Sequence, residues 1–192
     1  MDVSEIYAKL SAHMIQGIMA HEKLANYYDF LNLRGYKRAH EYHMLKESKA
    51  FRKLNRYYIN HFDRLIEEEP VPEPDIIPAS WYRYTRHDVD PNTKRQAVKN
   101  GIDKWVAWEE ETKQLYESMY YELMAMRYVA AAEELACCIR EVDKELKYAY
   151  RKQIELESVD YDLTTIIFEQ TELHDKYKCK MEHLMEHLHD KH

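Results

Sequence analysis

The sequence contains few residues that favour tight turns. Only 3 Gly and 5 Pro occur among its 192 residues, and 45% of the chain is hydrophobic. A β-sandwich or a series of strand–helix crossovers needs many more turn residues than this. We therefore predict an all-α protein with one helical domain over residues 1–192.

Signals for export, membrane insertion and disulfide formation are also missing. No run approaches the roughly 20 apolar residues of a membrane-spanning helix, and the N-terminus lacks a basic start followed by an apolar stretch. The three cysteines, Cys137, Cys138 and Cys179, form neither an even disulfide set nor a Cys-x-x-Cys zinc motif. We expect a cytoplasmic protein with reduced thiols and no membrane association.

The chain has no excess of positive charge. Its 28 Lys and Arg residues are interleaved with 35 Asp and Glu residues, giving a net charge of −7. Because phosphate binding requires a basic stripe, this balance disfavours a nucleic-acid partner. Gly-rich phosphate loops, Gly-x-Ser-x-Gly and dinucleotide fingerprints are absent as well, which argues against nucleotide-dependent and serine-nucleophile enzymes.

What the sequence does contain is helical periodicity. Apolar residues recur at alternating spacings of four and three over residues 4–33 and again over 36–68. Asp2 and Glu5 form a capping-box pattern at the start of the first helix. The short joint between the two helices predicts an antiparallel hairpin over residues 1–68.

A proline-rich segment follows this hairpin. Four of the five prolines fall within nine residues, and Pro91 comes shortly after them. Residues 69–93 therefore cannot be helical throughout. Ile76, Ile77 and Trp81 give the segment apolar side chains, so we predict an ordered crossover.

A second helical region is predicted over residues 94–192. It begins at an Asp90-Pro91 cap, and its apolar pattern continues almost to the end of the sequence. Two positions suit a turn within it, 141–144 and 158–160. The first gives a hairpin of two long helices, and the second adds a bend or a further helix.

Polar residues interrupt the apolar seams of the first hairpin. Residues equally distant from its turn lie at the same height, which brings Glu22 level with Glu47. His21 is one residue away from that level, and His43 lies one helical turn from Glu47. A buried carboxylate has to be paired or metal-bound, so this level is a candidate metal site.

The second region can contribute to the same level. If the crossover runs back along the bundle, Glu109 comes within a turn of Glu47. If the last two helices turn near residue 142, His174 lies opposite Glu109. The candidate metal ligands are Glu22, His43, Glu47, Glu109 and His174.

Two helical hairpins joined by a long crossover, with Glu and His pointing inward at one height, resemble the ferritin-like superfamily of carboxylate-bridged dinuclear metal proteins. That family has a single Glu on each of two helices, which Glu22 and Glu109 match. It has Glu-x-x-His on each of the other two helices. Here the first pair, His43-x-x-x-Glu47, is reversed in order and wider in spacing. The last helix has Gln170-x-x-x-His174, with Glu169 beside it.

The resemblance implies iron, in a di-iron site that oxidises ferrous iron or a bound substrate, and a homo-oligomer. In such a site Glu47 and Glu109 would bridge the ions and His21 would hydrogen-bond the ligands. Glu22, His43 and His174 would be terminal ligands. The altered spacings also permit a descendant of this fold whose site holds one ion, holds zinc, or is vacant. A mixed set of imidazole and carboxylate ligands suits iron, manganese or zinc.

A second hypothesis comes from a different functional class. The polar seam residues would then only fix the register of a metal-free helical scaffold, and exposed aromatic residues would contact a protein partner. Whether the chain is an enzyme depends on which hypothesis holds. The convergence of the candidate ligands in the fold distinguishes the two.

Overall fold

The structure is a computed structural model that describes residues 2–189, with side chains up to Leu184. No strand occurs in this part of the chain, which confirms the all-α prediction. None of its helices is both long and apolar enough to cross a membrane. The helices are α1 (Val3–Phe30), α2 (Arg34–Phe62), α3 (Pro91–Ala125), α4 (Val129–Ser158) and α5 (Leu163–His189).

The local sequence explains where α1 and α3 begin. The amide of Glu5 donates to the carboxylate of Asp2 at 2.9 Å, and the Asp2 amide donates to the Glu5 carboxylate at 2.7 Å. The predicted capping box is therefore confirmed. At α3, the Asp90 carboxylate accepts from the Thr93 amide at 2.7 Å, and Pro91 occupies the first helical position.

α2 ends earlier than the sequence pattern predicts. It stops at Phe62 rather than near residue 68, because Asp63 adopts a left-handed conformation with φ of 53°. The crossover that follows contains two short 3-10 helices, Ala79–Arg83 and Arg86–Asp88. Ile76 is buried, and the Trp81 ring packs edge-on against Phe30 at a centroid distance of 6.1 Å.

The second helical region contains two turns instead of one. The first, at 126–128, was not predicted; Arg127 has φ of 64° there, and neither Gly nor Pro marks it. The proposed turn at 141–144 is wrong, since these residues lie inside α4. The alternative at 158–160 is confirmed, because α4 ends there and α5 is the further helix.

The helices form two antiparallel pairs, α1 with α2 and α3 with α4. Tyr28 near the end of α1 touches Gly101 near the start of α3, so these two helices also run antiparallel. α5 packs on α2, where the Gly35 amide donates to Gln170 Oε1 at 3.3 Å. A methyl group at Gly35 would overlap the Gln170 carbonyl, so only glycine permits this approach.

The core has two apolar clusters along the bundle. The larger cluster contains the C-terminal halves of α1 and α4 and the N-terminal halves of α2 and α3. The smaller cluster contains the opposite halves of these four helices. Buried polar residues occupy the middle stretch of these helices. They are His13, His21, His40, His43, Glu109 and Thr112.

Candidate metal centre

Three buried imidazoles meet in this middle stretch. His21 comes from α1, and His40 and His43 come from α2; their exposed fractions are 1%, 1% and 4%. The ring of His21 lies 5.4 Å from each of the other two, measured between centroids. Nδ1 of His21 and Nδ1 of His40 are 3.2 Å apart, within hydrogen-bonding distance.

Aromatic neighbours hold the imidazoles in place. His40 and His43 are three residues apart and therefore share one face of α2. The Tyr28 ring stacks on His40 at 5.4 Å with an interplanar angle of 5°. Trp105 of α3 contacts both α2 imidazoles, at 5.2 Å and 5.3 Å between ring centroids. The rings are thus packed on several sides by apolar surface.

Carboxyl groups from the other helices face these rings. Oε1 of Glu109, on α3, lies 4.0 Å from Nε2 of His21 and accepts a 3.0 Å hydrogen bond from the Trp105 indole. Oε2 of Glu145, on α4, lies 3.4 Å from Nδ1 of His43. We call the following set the histidine–carboxylate layer: His21, His40, His43, Glu47, Glu109 and Glu145.

The imidazoles of this layer are not fully hydrogen-bonded. Nε2 of His21 and both ring nitrogens of His43 are buried without a hydrogen-bond partner in the protein. The 3.4 Å contact between His43 and Glu145 lacks hydrogen-bond alignment. Buried polar atoms are nearly always paired, so three orphaned nitrogens within one layer need an explanation.

Burial keeps two of these histidines uncharged. It lowers the pKa of His21 to about 3 and the pKa of His40 well below its ordinary value, with the neighbouring histidines adding to both effects. A neutral imidazole keeps one ring nitrogen with a free lone pair, which is the form that binds metals.

The carboxyl groups are perturbed in opposite directions. Burial and the charge of Glu145 raise the pKa of Glu47 to about 8, and the same causes raise the pKa of Glu109 well above its ordinary value. Burial also opposes ionisation of Glu145, but its contacts with His43 and Lys46 outweigh this effect and lower its pKa. One carboxylate is therefore ionised at neutral pH while its neighbours retain protons.

A cavity of about 360 Å³ opens between α2 and α4 beside the layer. Glu47 and Glu145 line its inner side, together with the Tyr116 ring. Lys46 and Glu141 lie on its wall. The cavity therefore connects the carboxyl groups of Glu47 and Glu145 with the surface.

The structure brings together only part of the predicted ligand set. His43, Glu47 and Glu109 lie in the layer. Glu22 is exposed on α1, one residue away from the buried His21. His174 lies on α5 with a side chain 36% exposed and Nδ1 at 3.3 Å from Asp175. It does not come level with Glu109, because the turn after α3 is at 126–128 and not near 142.

Three members of the layer were not among the predicted ligands. From the sequence we predict only a hydrogen-bonding role for His21, and we predict no role in the site for His40 or Glu145. Residue 127 is midway between Glu109 and Glu145. Residues equally distant from a turn lie at the same height. If the sequence had marked the α3–α4 turn, this rule would have predicted that Glu145 lies level with Glu109.

The layer brings possible metal ligands close together, but it does not form a complete coordination site. Among the side chains of residues 2–184, no three of His, Cys, Asp or Glu already surround a position for a metal ion. Binding an ion there would require side-chain rotation, which the cavity on the α2–α4 side allows for Glu47 and Glu145.

No family model and no curated protein matches the sequence. Solved structures do match. A humanized archaeal ferritin has a TM-score of 0.74 at 15% identity, over 89% of this chain and 94% of its own. An open-pore ferritin from the archaeon Archaeoglobus fulgidus has a TM-score of 0.73 at 16% identity, over 89% and 94%. A PmFTN variant soaked in iron has a TM-score of 0.67 at 10% identity, over 88% and 96%. At these identities the likeness establishes the fold, and the chain is a ferritin-like helical bundle.

Proposed function

We propose that this chain binds iron in the histidine–carboxylate layer, with two ions per site, and oxidises it from the ferrous to the ferric state. The observation that carries this proposal is the set of three buried imidazole nitrogens without partners, which face carboxyl groups from α3 and α4. A metal ion would give Nε2 of His21 and one ring nitrogen of His43 the partner that the protein does not.

The charges of the layer support a cation. Glu47, Glu109 and Glu145 lie close enough that the charge of one raises the pKa of the other two. A divalent ion would replace the protons on Glu47 and Glu109, so that these two groups ionise as Glu145 already does. Metal uptake should therefore release protons.

The donors divide into distinct roles. Nε2 of His21 and one ring nitrogen of His43 would coordinate the metal, and Glu109, 4.0 Å from Nε2 of His21, would add a carboxylate oxygen. His40 holds the ring of His21 through the contact between their Nδ1 atoms. Each ferrous ion held here would lose one electron to oxygen or peroxide, which would be the oxidant.

The structural neighbours support iron over other metals. Two of the matching structures are described as ferritins, and a third was soaked in iron. Imidazole and carboxylate ligands also suit manganese and zinc, so all three metals belong in the test.

The test is a metal titration by calorimetry without oxygen, on protein purified without a nickel column. Fe(II), Mn(II) and Zn(II) are compared on wild type, His43→Ala, Glu109→Gln and the control His174→Ala. We expect wild type and His174→Ala to bind about two Fe(II) per chain. The two layer variants should bind at least about tenfold more weakly.

Equal binding by all four proteins would overturn the assignment of the layer. Absence of binding in wild type would leave the metal-free scaffold hypothesis. If wild type binds Fe(II), oxygen consumption after air is admitted tests the oxidation step, which should be slowed in both layer variants and not in His174→Ala.

A homo-oligomer is a further part of the proposal. Ile154, Ile167 and Phe168, on α4 and α5, expose 64%, 54% and 67% of their surface. Large exposed apolar side chains favour contacts between proteins. Light scattering coupled to gel filtration should give a mass several times that of one chain; a monomer would contradict this part alone.

A further inference from the structure

Lys46 lies where the histidine–carboxylate layer meets the α2–α4 cavity. Its Nζ donates to Oε1 of Glu145 and lies 3.6 Å from Oε2 of Glu141. The other oxygen of Glu145 is the one that faces His43 at 3.4 Å. A cation is thus already bound to a carboxylate that would also have to bind the metal.

We infer that Lys46 is a resident cation of the layer, which an incoming metal ion displaces from Glu145 toward Glu141. The inference rests on the proposed function and concerns how the same site is regulated. In this scheme Lys46 sets the threshold affinity for metal ions and occupies the opening through which they enter.

Electrostatics give the reason for displacement. A charge-assisted hydrogen bond to a part-buried carboxylate is among the stronger polar contacts in a protein. A metal ion at Glu145 has to replace this contact, and it approaches a positive ammonium group while doing so. A divalent ion gains binding free energy from several carboxylates and imidazoles together. A monovalent ion gains too little binding free energy to replace the contact between Lys46 and Glu145. Lys46 therefore selects for multivalent cations.

The surroundings give Lys46 a place to go. Its side chain is 27% exposed, and the carboxylate of Glu141 is 52% exposed at the edge of the cavity. The lysine side chain is long and flexible, with a strongly hydrated ammonium group. It can therefore rotate from Glu145 to Glu141 and water without a change in the backbone.

Lys53 provides a matched control. It lies on α2 like Lys46 and also pairs with a glutamate of α4, Glu134, at 2.7 Å. Lys53 is 62% exposed, and Glu134 does not belong to the layer. Removing Lys53 deletes the same kind of interhelical ion pair without exposing a proposed metal ligand.

The experiment compares wild type, Lys46→Met and Lys53→Met by calorimetric titration with Fe(II) under anaerobic conditions and with Zn(II). We expect Lys46→Met to bind both ions about tenfold more tightly or better than wild type, since one charge-assisted hydrogen bond no longer has to be broken. Lys53→Met should match wild type.

A second variant tests the opposite direction. Glu141→Gln removes the carboxylate that receives the displaced ammonium group, so metal affinity should fall about twofold to fivefold. Melting curves with and without metal give a readout that does not depend on equal stability. The metal-induced rise in Tm should be larger for Lys46→Met than for wild type.

Each outcome decides between the two proposals. Metal binding by wild type with unchanged affinity in Lys46→Met overturns this inference and leaves the proposed function intact. Binding by neither protein overturns both proposals. Binding by Lys46→Met alone overturns the proposal that wild type binds iron, and it also overturns displacement of Lys46, because the ammonium group then stays in place.

Discussion

Two places in the core of this protein hold buried histidine, and their hydrogen bonding differs. At the first, His13 is 8% exposed and stacks on Trp108 at 4.5 Å, with an interplanar angle of 8°. The Thr112 hydroxyl donates to the Trp108 carbonyl at 2.8 Å and therefore accepts from Nε2 of His13, also at 2.8 Å. No ring nitrogen of His13 is both buried and without a partner.

The histidine–carboxylate layer is the opposite case. His21 and His43 together have three buried nitrogens without partners, and ionisable carboxyl groups surround them. The comparison shows that burial alone does not make a histidine functional. A paired imidazole such as His13 contributes packing and a hydrogen bond, whereas an unpaired one beside carboxyl groups is available for a ligand.

The largest expected effect is the response of stability to metal. At a free Fe(II) concentration of a hundred times Kd, binding should stabilise the native state by about 2.7 kcal/mol. For a chain of this size, that corresponds to a rise in Tm of about 5–10 °C. Anaerobic calorimetry should show this rise in wild type and His13→Gln, and not in His43→Ala. Equal rises in Tm in all three proteins would show that the two histidine sites do not differ in metal binding.

The next effect concerns pH and His13. Burial lowers its folded-state pKa to about 4, from 6.5. The unfolded chain therefore binds a proton that the folded chain does not, and stability is lost as the pH falls from 6.5 toward 4. Between pH 7.5 and pH 5 this single group should cost about 2 kcal/mol.

Urea unfolding of wild type and His13→Gln at both pH values isolates this contribution, because every other titrating group is common to the two proteins. Gln can donate to Thr112 as the imidazole does, and it has no proton to gain. The acid-induced loss of stability should be smaller in His13→Gln. Identical losses would mean that His13 does not titrate differently on unfolding.

A smaller effect is expected for Glu109→Gln in the absence of metal. Burial raises the pKa of Glu109 well above its ordinary value, which favours the uncharged form in the folded protein. The Gln amide has a similar shape and can accept the hydrogen bond from Trp105. The unfolded chain ionises Glu109 at neutral pH, so folding has to return a proton to this group, and Gln removes that cost. The free energy of unfolding should therefore rise at pH 7 and change little at pH 4; a loss at pH 7 in urea titrations would indicate that Glu109 is ionised in the folded protein.

The smallest effect is expected for Glu22→Ala. Glu22 is exposed and lies outside the layer, although it is the neighbour of His21 in the sequence. Stability should stay within about 0.5 kcal/mol of wild type, and Fe(II) affinity should not change. A loss of affinity in calorimetric titrations would show that this carboxylate rotates into the site.

The sequence predicts the fold to the extent that it contains local signals. Asp2 and Asp90 mark helix starts, and the proline-rich segment marks the crossover, so these features are found in the structure. The α3–α4 turn has no such signal, because Arg127 adopts a positive φ that the sequence gives no reason to expect. The conformational preferences of the residues therefore do not predict this turn.

That single turn explains most of what was missed in the site. Moving it from residue 142 to 127 replaces His174 by Glu145 at the level of Glu109. His40 was missed for a different reason, because one histidine on a helix seam is most often a packing residue. Only its contact with His21 in the folded chain shows that it belongs to the layer.

The position of α5 also affects the order in which the chain assembles. Gly35 and Gln170 meet although they are 135 residues apart in the sequence, whereas each helical hairpin forms from neighbouring segments. Contacts across such a distance form late in folding. Tyr177 of α5 covers one side of His43, with ring centroids 5.8 Å apart. We therefore expect α5 to dock after the two hairpins have formed, so that the ring of His43 stays uncovered on that side until the last step of folding.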